Sequence, residues 1–225
     1  MDNLTSEYLS QFRAPAFPGS YFVSFEGIEG AGKSTQLKTA KEFLESKGLR
    51  VIILREPGGT LFGEQLRKAI LEAKQEINPL SEIYLFASSR AQMLTEVVLR
   101  ELEVAGTVVI CDRYIDSSMA YQGVARGLGL KTVLDIHSHF PLNLLPHKTF
   151  YVRINYETSQ NRQKVRGAPK DYFESQKSDF HIKLIEGFDE AAKLFPNRIT
   201  VINGERSIDE IELDIKDQLN ELISQ

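Results

Sequence analysis

A single cysteine, Cys111, is the chain's whole supply of thiol, so no internal disulfide can form and nothing in the sequence calls for an oxidising compartment. No apolar run approaches the roughly 20 residues that a membrane-spanning helix needs. Basic residues are not in excess: 27 Lys and Arg stand against 31 Asp and Glu, a net charge of −4. That balance argues mildly against a sequence-independent nucleic-acid binder, whose phosphate contacts demand surplus cations. The first twenty residues lack the basic start and apolar centre of a signal peptide. With Pro15, Pro18 and Gly19 they read as an N-terminal extension, 1–20, ahead of the first strand. The expectation is a soluble cytoplasmic protein with neither a membrane nor a nucleic acid as partner. Repeats, low-complexity tracts and long linkers are missing too, so residues 21–225 are expected to form one domain.

What is present is an alternation of short apolar runs with longer amphipathic ones. Residues 21–26, 51–55, 107–111, 149–154 and 199–202 read as strands. Helical patterns fall at about 33–47, 61–73, 81–104, 131–139 and 208–223, with Gly48 and Gly106 placed as helix stops. A charged stretch, 162–170, separates two further helical patterns. Continuous apolar strands divided by helices predict an α/β fold of three layers, a mostly parallel five-stranded sheet flanked by helices. Ligands of such sheets collect at the carboxyl ends of the strands.

The first strand runs into Gly27-Ile28-Glu29-Gly30-Ala31-Gly32-Lys33-Ser34, which fits G-x-x-x-x-G-K-[ST] without a mismatch. Glycines let successive backbone N–H groups turn inward around a phosphate, and the following helix offers its positive end to the same anion. Lys33 is placed to reach the β and γ oxygens of a nucleoside triphosphate, and the Ser34 hydroxyl to ligand magnesium. Chance alone gives such a match roughly once in a hundred chains of this length, and here the strand-loop-helix context agrees as well. The motif predicts nucleotide binding without choosing a reaction. None of the aspartates opens an Asp-x-x-Gly switch, and no Asn-Lys-x-Asp base-reading motif is present, which disfavours a GTPase. A motor ATPase would need more modules. A small kinase remains.

Other motifs fall at strand ends or on helices. Glu29 is either a solvated carboxylate or an acceptor for a sugar hydroxyl. The stretch 55–60, Arg55-Glu56-Pro57-Gly58-Gly59-Thr60, is either an ordinary turn or an anion-facing loop. Phe86 and Arg90 are four apart and share a helix face. Alone, Phe86 reads as core; together the two suggest a ring that stacks on a base beside a fork that bonds a carbonyl. Asp112-Arg113-Tyr114 follows an apolar strand, where a carboxylate commonly serves magnesium and an arginine clamps phosphate, although a structural ion pair fits the position too. Arg162, Lys164, Arg166 and Lys170 form either a solvated face or a lid that closes over phosphates.

In order along the chain, these residues resemble the thymidylate kinase family. The resemblance runs through residues 25–35, 55–60 and 86–92, and is most specific in Asp112-Arg113-Tyr114 with Ser117-Ser118-Met119-Ala120-Tyr121-Gln122-Gly123 and Arg126-Gly127. It covers about residues 21–195 and points to the bacterial type. The resemblance implies a fold with a short basic lid at about 162–174 and transfer of a phosphoryl group from ATP to dTMP. ATP would lie on Gly27, Ile28, Glu29, Gly30, Ala31, Gly32, Lys33, Ser34 and Thr35. For dTMP it implies Glu29 on the 3′-hydroxyl and Arg55 with Arg113 on the phosphate. Phe86 would stack on thymine, with Arg90 on its O4, Ser118 and Gln122 nearby, and Tyr121 crowding the 2′ position. Lys33, Asp112 and Arg113 would be catalytic, with Ser34 and Asp112 serving magnesium. Tyr172 occupies a lid position where the family commonly has arginine, so Arg166, then Arg162, is expected to act, with Lys170 as a substitute. A homodimer packed through the helices near 81–104 is implied as well.

Overall fold

The computed structural model describes residues 4–167 and 172–224. Five strands, β1 Tyr21–Glu26, β2 Arg50–Arg55, β3 Thr107–Asp112, β4 Lys148–Arg153 and β5 Ile199–Asn203, make one sheet in the order β2-β3-β1-β4-β5. The helices are α1 Ser6–Leu9, α2 Lys33–Ser46, α3 Leu61–Leu71, α4 Pro79–Met93, α5 Leu99–Leu102, α6 Ile115–Ser118, α7 Leu130–Ile136, α8 Tyr156–Arg166, α9 Ser178–Leu194 and α10 Ile208–Ile223. All pairings in this sheet are parallel, so the expected "mostly parallel" becomes wholly parallel among the described residues.

Successive strand residues point to opposite faces and so feed two cores. Val23, Phe25, Val108, Ile110 and Phe150 pack with Leu37, Leu44, Ile215 and Leu219 of α2 and α10. Phe22, Val109, Cys111 and Tyr151 pack on the other side with Ile83, Met93, Leu134, Leu184 and Phe188 of α4, α7 and α9. Central strands buried on both faces need runs like Phe22-Val23-Ser24-Phe25, and that is why the apolar runs located them.

Three readings of the sequence are corrected. The helix expected at 81–104 starts earlier, at Pro79 behind an Asn78 cap, and a π-helical turn at Leu94–Val98 separates α4 from α5. Thr95 Oγ1 donates to Ala91 O (2.9 Å) there, a side-chain bond to a carbonyl that also accepts from Leu94 N. Residues 115–125, given no element from sequence, form α6 and a π-helical segment, Met119–Ala125. Gly187 of α9 lies so close to that segment that a Cβ would stand 2.6 Å from Ala120 Cα. The basic stretch is helical in its first part, since α8 continues through Arg166, and the break between the two helices begins at Gly167 (φ 64°). Lys164 and Arg166 in the last turn of α8 suit the negative end of the helix dipole.

Residues 4–20 lie against the body of the domain. Tyr8 Oη donates to Asp135 Oδ1 (2.7 Å), Phe12 is buried, and Leu145 N donates to Arg13 O (2.9 Å). No helix among the described residues is long and apolar enough to cross a membrane. The connection from β1 goes to one side of the sheet and that from β3 to the other, so a crevice opens between their carboxyl ends.

Candidate active site

Gly27 leaves β1 with φ 137°, and a Cβ there would lie 2.5 Å from Val152 O; only glycine fits this start to the loop. Gly32 (φ 94°) then opens α2. Lys33 is buried, its Nζ donating to Gly27 O (3.0 Å) and Ile28 O (3.4 Å). Burial, and then Arg113, push its ammonium down to about 8. Helix α8 is fastened to the loop from outside. Ser159 Oγ donates to Glu29 O (2.7 Å), and Arg162 donates to Gly30 O (3.1 Å) and Gly204 O (3.0 Å).

At the end of β3, Arg113 has φ 71°, a conformation that a residue with a side chain rarely adopts. Glu26 holds the turn in that shape, its carboxyl accepting from Tyr114 N (2.7 Å) and Ser117 Oγ (2.6 Å). Burial and neighbouring Asp116 push Glu26 up to about 8. The Arg113 guanidinium lies 5.2 Å from the Tyr121 ring centre and donates to Gly27 O (3.0 Å). Asp112 Oδ1, beside it, is buried without a hydrogen-bond partner.

Arg90 projects from α4 and is almost wholly buried, as is Glu56, with which it pairs (1% and 3% exposed). Its Nε donates to both Glu56 oxygens (2.9 Å each), and Nη2 donates to Oε2. Nη1 meets Ser118 Oγ (3.1 Å) and His137 Nε2 (2.6 Å). Burial opposes the charged form, but the Glu56 carboxylate outweighs it and lifts Arg90 above the ordinary arginine value. Phe86 stands one helical turn away, 6.0 Å from Phe173 between ring centres, and Tyr121 meets Phe173 edge-on. Gln122 Nε2 donates to Glu82 Oε1 (2.8 Å), which directs its amide toward α4.

Arg166 closes the other side, ion-paired with Glu29 and with Glu174 (3.0 Å). Burial opposes ionisation of Glu29, yet Lys33, Arg113 and Arg166 together hold its carboxyl below the usual range. Tyr172 does not face this pair; its Oη accepts from Ile77 N (3.1 Å). Lys170 lies outside the described residues.

One cavity of about 300 Å³ joins these parts. Of the residues singled out from sequence, Glu29, Gly32, Lys33, Ser34, Thr35, Arg55, Phe86, Arg90, Asp112, Arg113, Ser118, Tyr121, Gln122 and Arg166 line it. Arg162, Gly27, Ile28, Gly30 and Ala31 do not; Arg162 is spent on backbone carbonyls behind the loop. Glu56, Arg67, Ser117, Phe173, Glu174 and His181 line it without having been given a role from sequence. Glu26 and His137 act one layer further out. Their signals were weak, because each pairs with residues far along the chain.

The family model described as "Thymidylate kinase" matches residues 25–215. A thymidylate kinase of Thermoanaerobacter sp. (strain X514) is 41% identical over 196 residues, which is 87% of this chain and 95% of that protein. One of Acholeplasma laidlawii (strain PG-8A) is 41% identical over 200 residues, covering 88% of this chain and 98% of the other. The crystal structure of thymidylate kinase from Ehrlichia chaffeensis superposes with a TM-score of 0.71 at 30% identity, covering 90% of this chain and 99% of that one. Fold, motifs and relatives agree, and the chain belongs to the thymidylate kinase family.

Proposed function

We propose that the cavity takes both substrates, ATP phosphates on the Lys33 side and dTMP along the wall of Phe86, Arg90 and Tyr121. As a member of its family, the chain transfers the γ-phosphoryl group of ATP to dTMP, giving dTDP and ADP, a step in the supply of dTTP. The observation that carries the residue assignment is that a single cavity is lined by the phosphate-loop residues Lys33, Ser34 and Thr35 and by that aromatic and cationic wall.

The acceptor is already an ionised phosphate, so the site needs no strong base; alignment and positive charge do the catalysis. Arg113, fixed over Tyr121, and Arg55 hold the dTMP phosphate. Phe86 stacks on thymine and Arg90 donates to its O4, with Ser118 and Gln122 completing that end. Tyr121 crowds the 2′ position. Glu29 has one oxygen on Arg166 and offers the other to the 3′-hydroxyl. Lys33 and Arg166 supply charge to the oxygens that gain it as the group transfers. Magnesium fits the residues present: the partnerless buried oxygen of Asp112 suits a cation or its water, and Ser34 adds a hydroxyl. Held by Ser34 and Asp112, the ion would supply positive charge to the phosphate oxygens during transfer.

A homodimer fits the exposed face on which Leu80 and Tyr84 stand four apart on α4, and the cytoplasm is the fitting compartment. A coupled ADP-release assay over a panel of nucleoside monophosphates tests the assignment. Turnover should be fastest with dTMP; equal rates with dGMP and dTMP would sink the Phe86–Arg90 wall as a thymine site.

A further inference from the structure

We propose that His137 is a positioning residue for Arg90, and that through it the enzyme sets its selectivity at the 4-position of the pyrimidine. This rests on Arg90 reading the base, as assigned above.

A guanidinium carries five hydrogens in a planar fork. Glu56 takes Nε–H and one hydrogen of Nη2, and Ser118 and His137 take the two of Nη1. The Tyr114 ring lies 4.9 Å beneath the guanidinium carbon. One Nη2 hydrogen is left, on a residue that lines the cavity. The base therefore meets one donor of fixed direction. Thymine presents a carbonyl oxygen there and cytosine an amino group, so a lone fixed donor favours the first and opposes the second.

His137 suits this task because its own tautomer is fixed. Nδ1 lies 2.7 Å from Val133 O, and a carbonyl can only accept, so Nδ1 carries the proton and Nε2 presents its lone pair to Arg90. The imidazole is fully buried. Burial, and then the charge of Arg90, push it down to about 3, which keeps it a neutral acceptor at working pH. The N-terminal segment braces the backbone on both sides of it. Tyr8 holds Asp135, the Gln11 carbonyl accepts from Asn143 Nδ2 (3.0 Å), and Arg13 accepts from Leu145 N. Without the acceptor at Nε2, a buried Nη1 hydrogen is unpaired and the guanidinium swings to find another partner.

The test measures kcat/KM for dTMP and dCMP, with the KM for ATP, in His137→Leu, His137→Gln, His137→Asn and Arg90→Ala. The amide of glutamine reaches the Nε2 position, whereas that of asparagine stops near Nδ1. Expected for His137→Leu are a roughly tenfold higher KM for dTMP and a similar fall in preference over dCMP, the loss of one charged hydrogen bond. The KM for ATP should stay within about twofold, since that substrate is assigned to the other side of the cavity. His137→Gln should keep the wild-type preference and His137→Asn should lose it. If the leucine variant fails to fold, the amide pair decides. Equal preference in the two amide variants, or a wild-type preference in His137→Leu, would reduce His137 to packing and overturn the proposal while Arg90→Ala still shows a loss. An unchanged preference in Arg90→Ala would overturn the base-reading assignment and this inference together.

Discussion

Arg166, in the last turn of α8, is ion-paired with Glu29, inside the phosphate loop. The pair ties the basic segment to the loop on the side assigned to the acceptor sugar. Arg166 lines the cavity while Arg162, one turn earlier on the same helix, is bound to the Gly30 and Gly204 carbonyls. Of the two lid cations expected from sequence, the geometry favours Arg166.

Arg166→Ala should therefore lower kcat by about 10²–10³-fold, the range for removing one preorganised donor from a developing charge. Arg162→Ala should lower it by less than about tenfold, through a looser loop. Steady-state rates of ADP release at saturating dTMP would decide; a greater loss in Arg162→Ala would move the acting cation there.

Lys33 has its ammonium held down to about 8. It is charged below that pH and neutral above it, so affinity for ATP should fall as pH rises through that value. Bound phosphate restores the charge. Binding at about pH 9 should then take up close to one proton, and at about pH 7 almost none. Calorimetry in two buffers of different ionisation enthalpy measures this uptake, and Lys33→Met should abolish it. Absence of any buffer dependence at the higher pH would place the group at an ordinary lysine value.

Glu56 and Arg90 make a buried pair, and removing one partner leaves the other as an uncompensated charge. Glu56→Ala should cost about 3–5 kcal/mol, a fall of roughly 6–20 °C in Tm for a chain of this size. Thermal unfolding followed by circular dichroism measures it. A change below about 1 kcal/mol would mean that water or another group takes over the guanidinium.

Much of this architecture could be read from the chain because parallel strands buried on both faces leave unbroken apolar runs. Val108 to Cys111 is such a run and Phe22 to Phe25 is broken only by the small Ser24, and the carboxylate that follows each, Asp112 and Glu26, marks a ligand-facing end. The phosphate loop was legible for a related reason: its constraints lie within eight consecutive residues. Pairings across long separations were not legible. Glu56 is 34 residues from Arg90, and His137 is 47 residues from it, so neither carboxylate nor imidazole looked different from a surface residue. The segment 115–125 escaped because Ser117, Ser118 and Gly123 read as turn formers, while its helical state depends on packing against α9. Gly167 and the cations before it carry the stop signal for α8, but the absence of apolar periodicity in so charged a run hides that the helix reaches Arg166.

Cys111, noted first as the chain's lone thiol, sits one residue before the carboxyl end of β3 with no exposed surface, and burial raises its thiol well above the ordinary range. Its reaction with an alkylating reagent must wait until β3 comes away from its neighbours β2 and β1. The rate of that reaction is thus a built-in clock for opening of the sheet. Saturating dTMP and ATP, which favour the closed sheet by mass action, should slow the clock by the same factor that they add to stability. Mass spectrometry of the labelled intact chain reads it; rapid labelling unaffected by substrates would show that the strand opens without the domain unfolding.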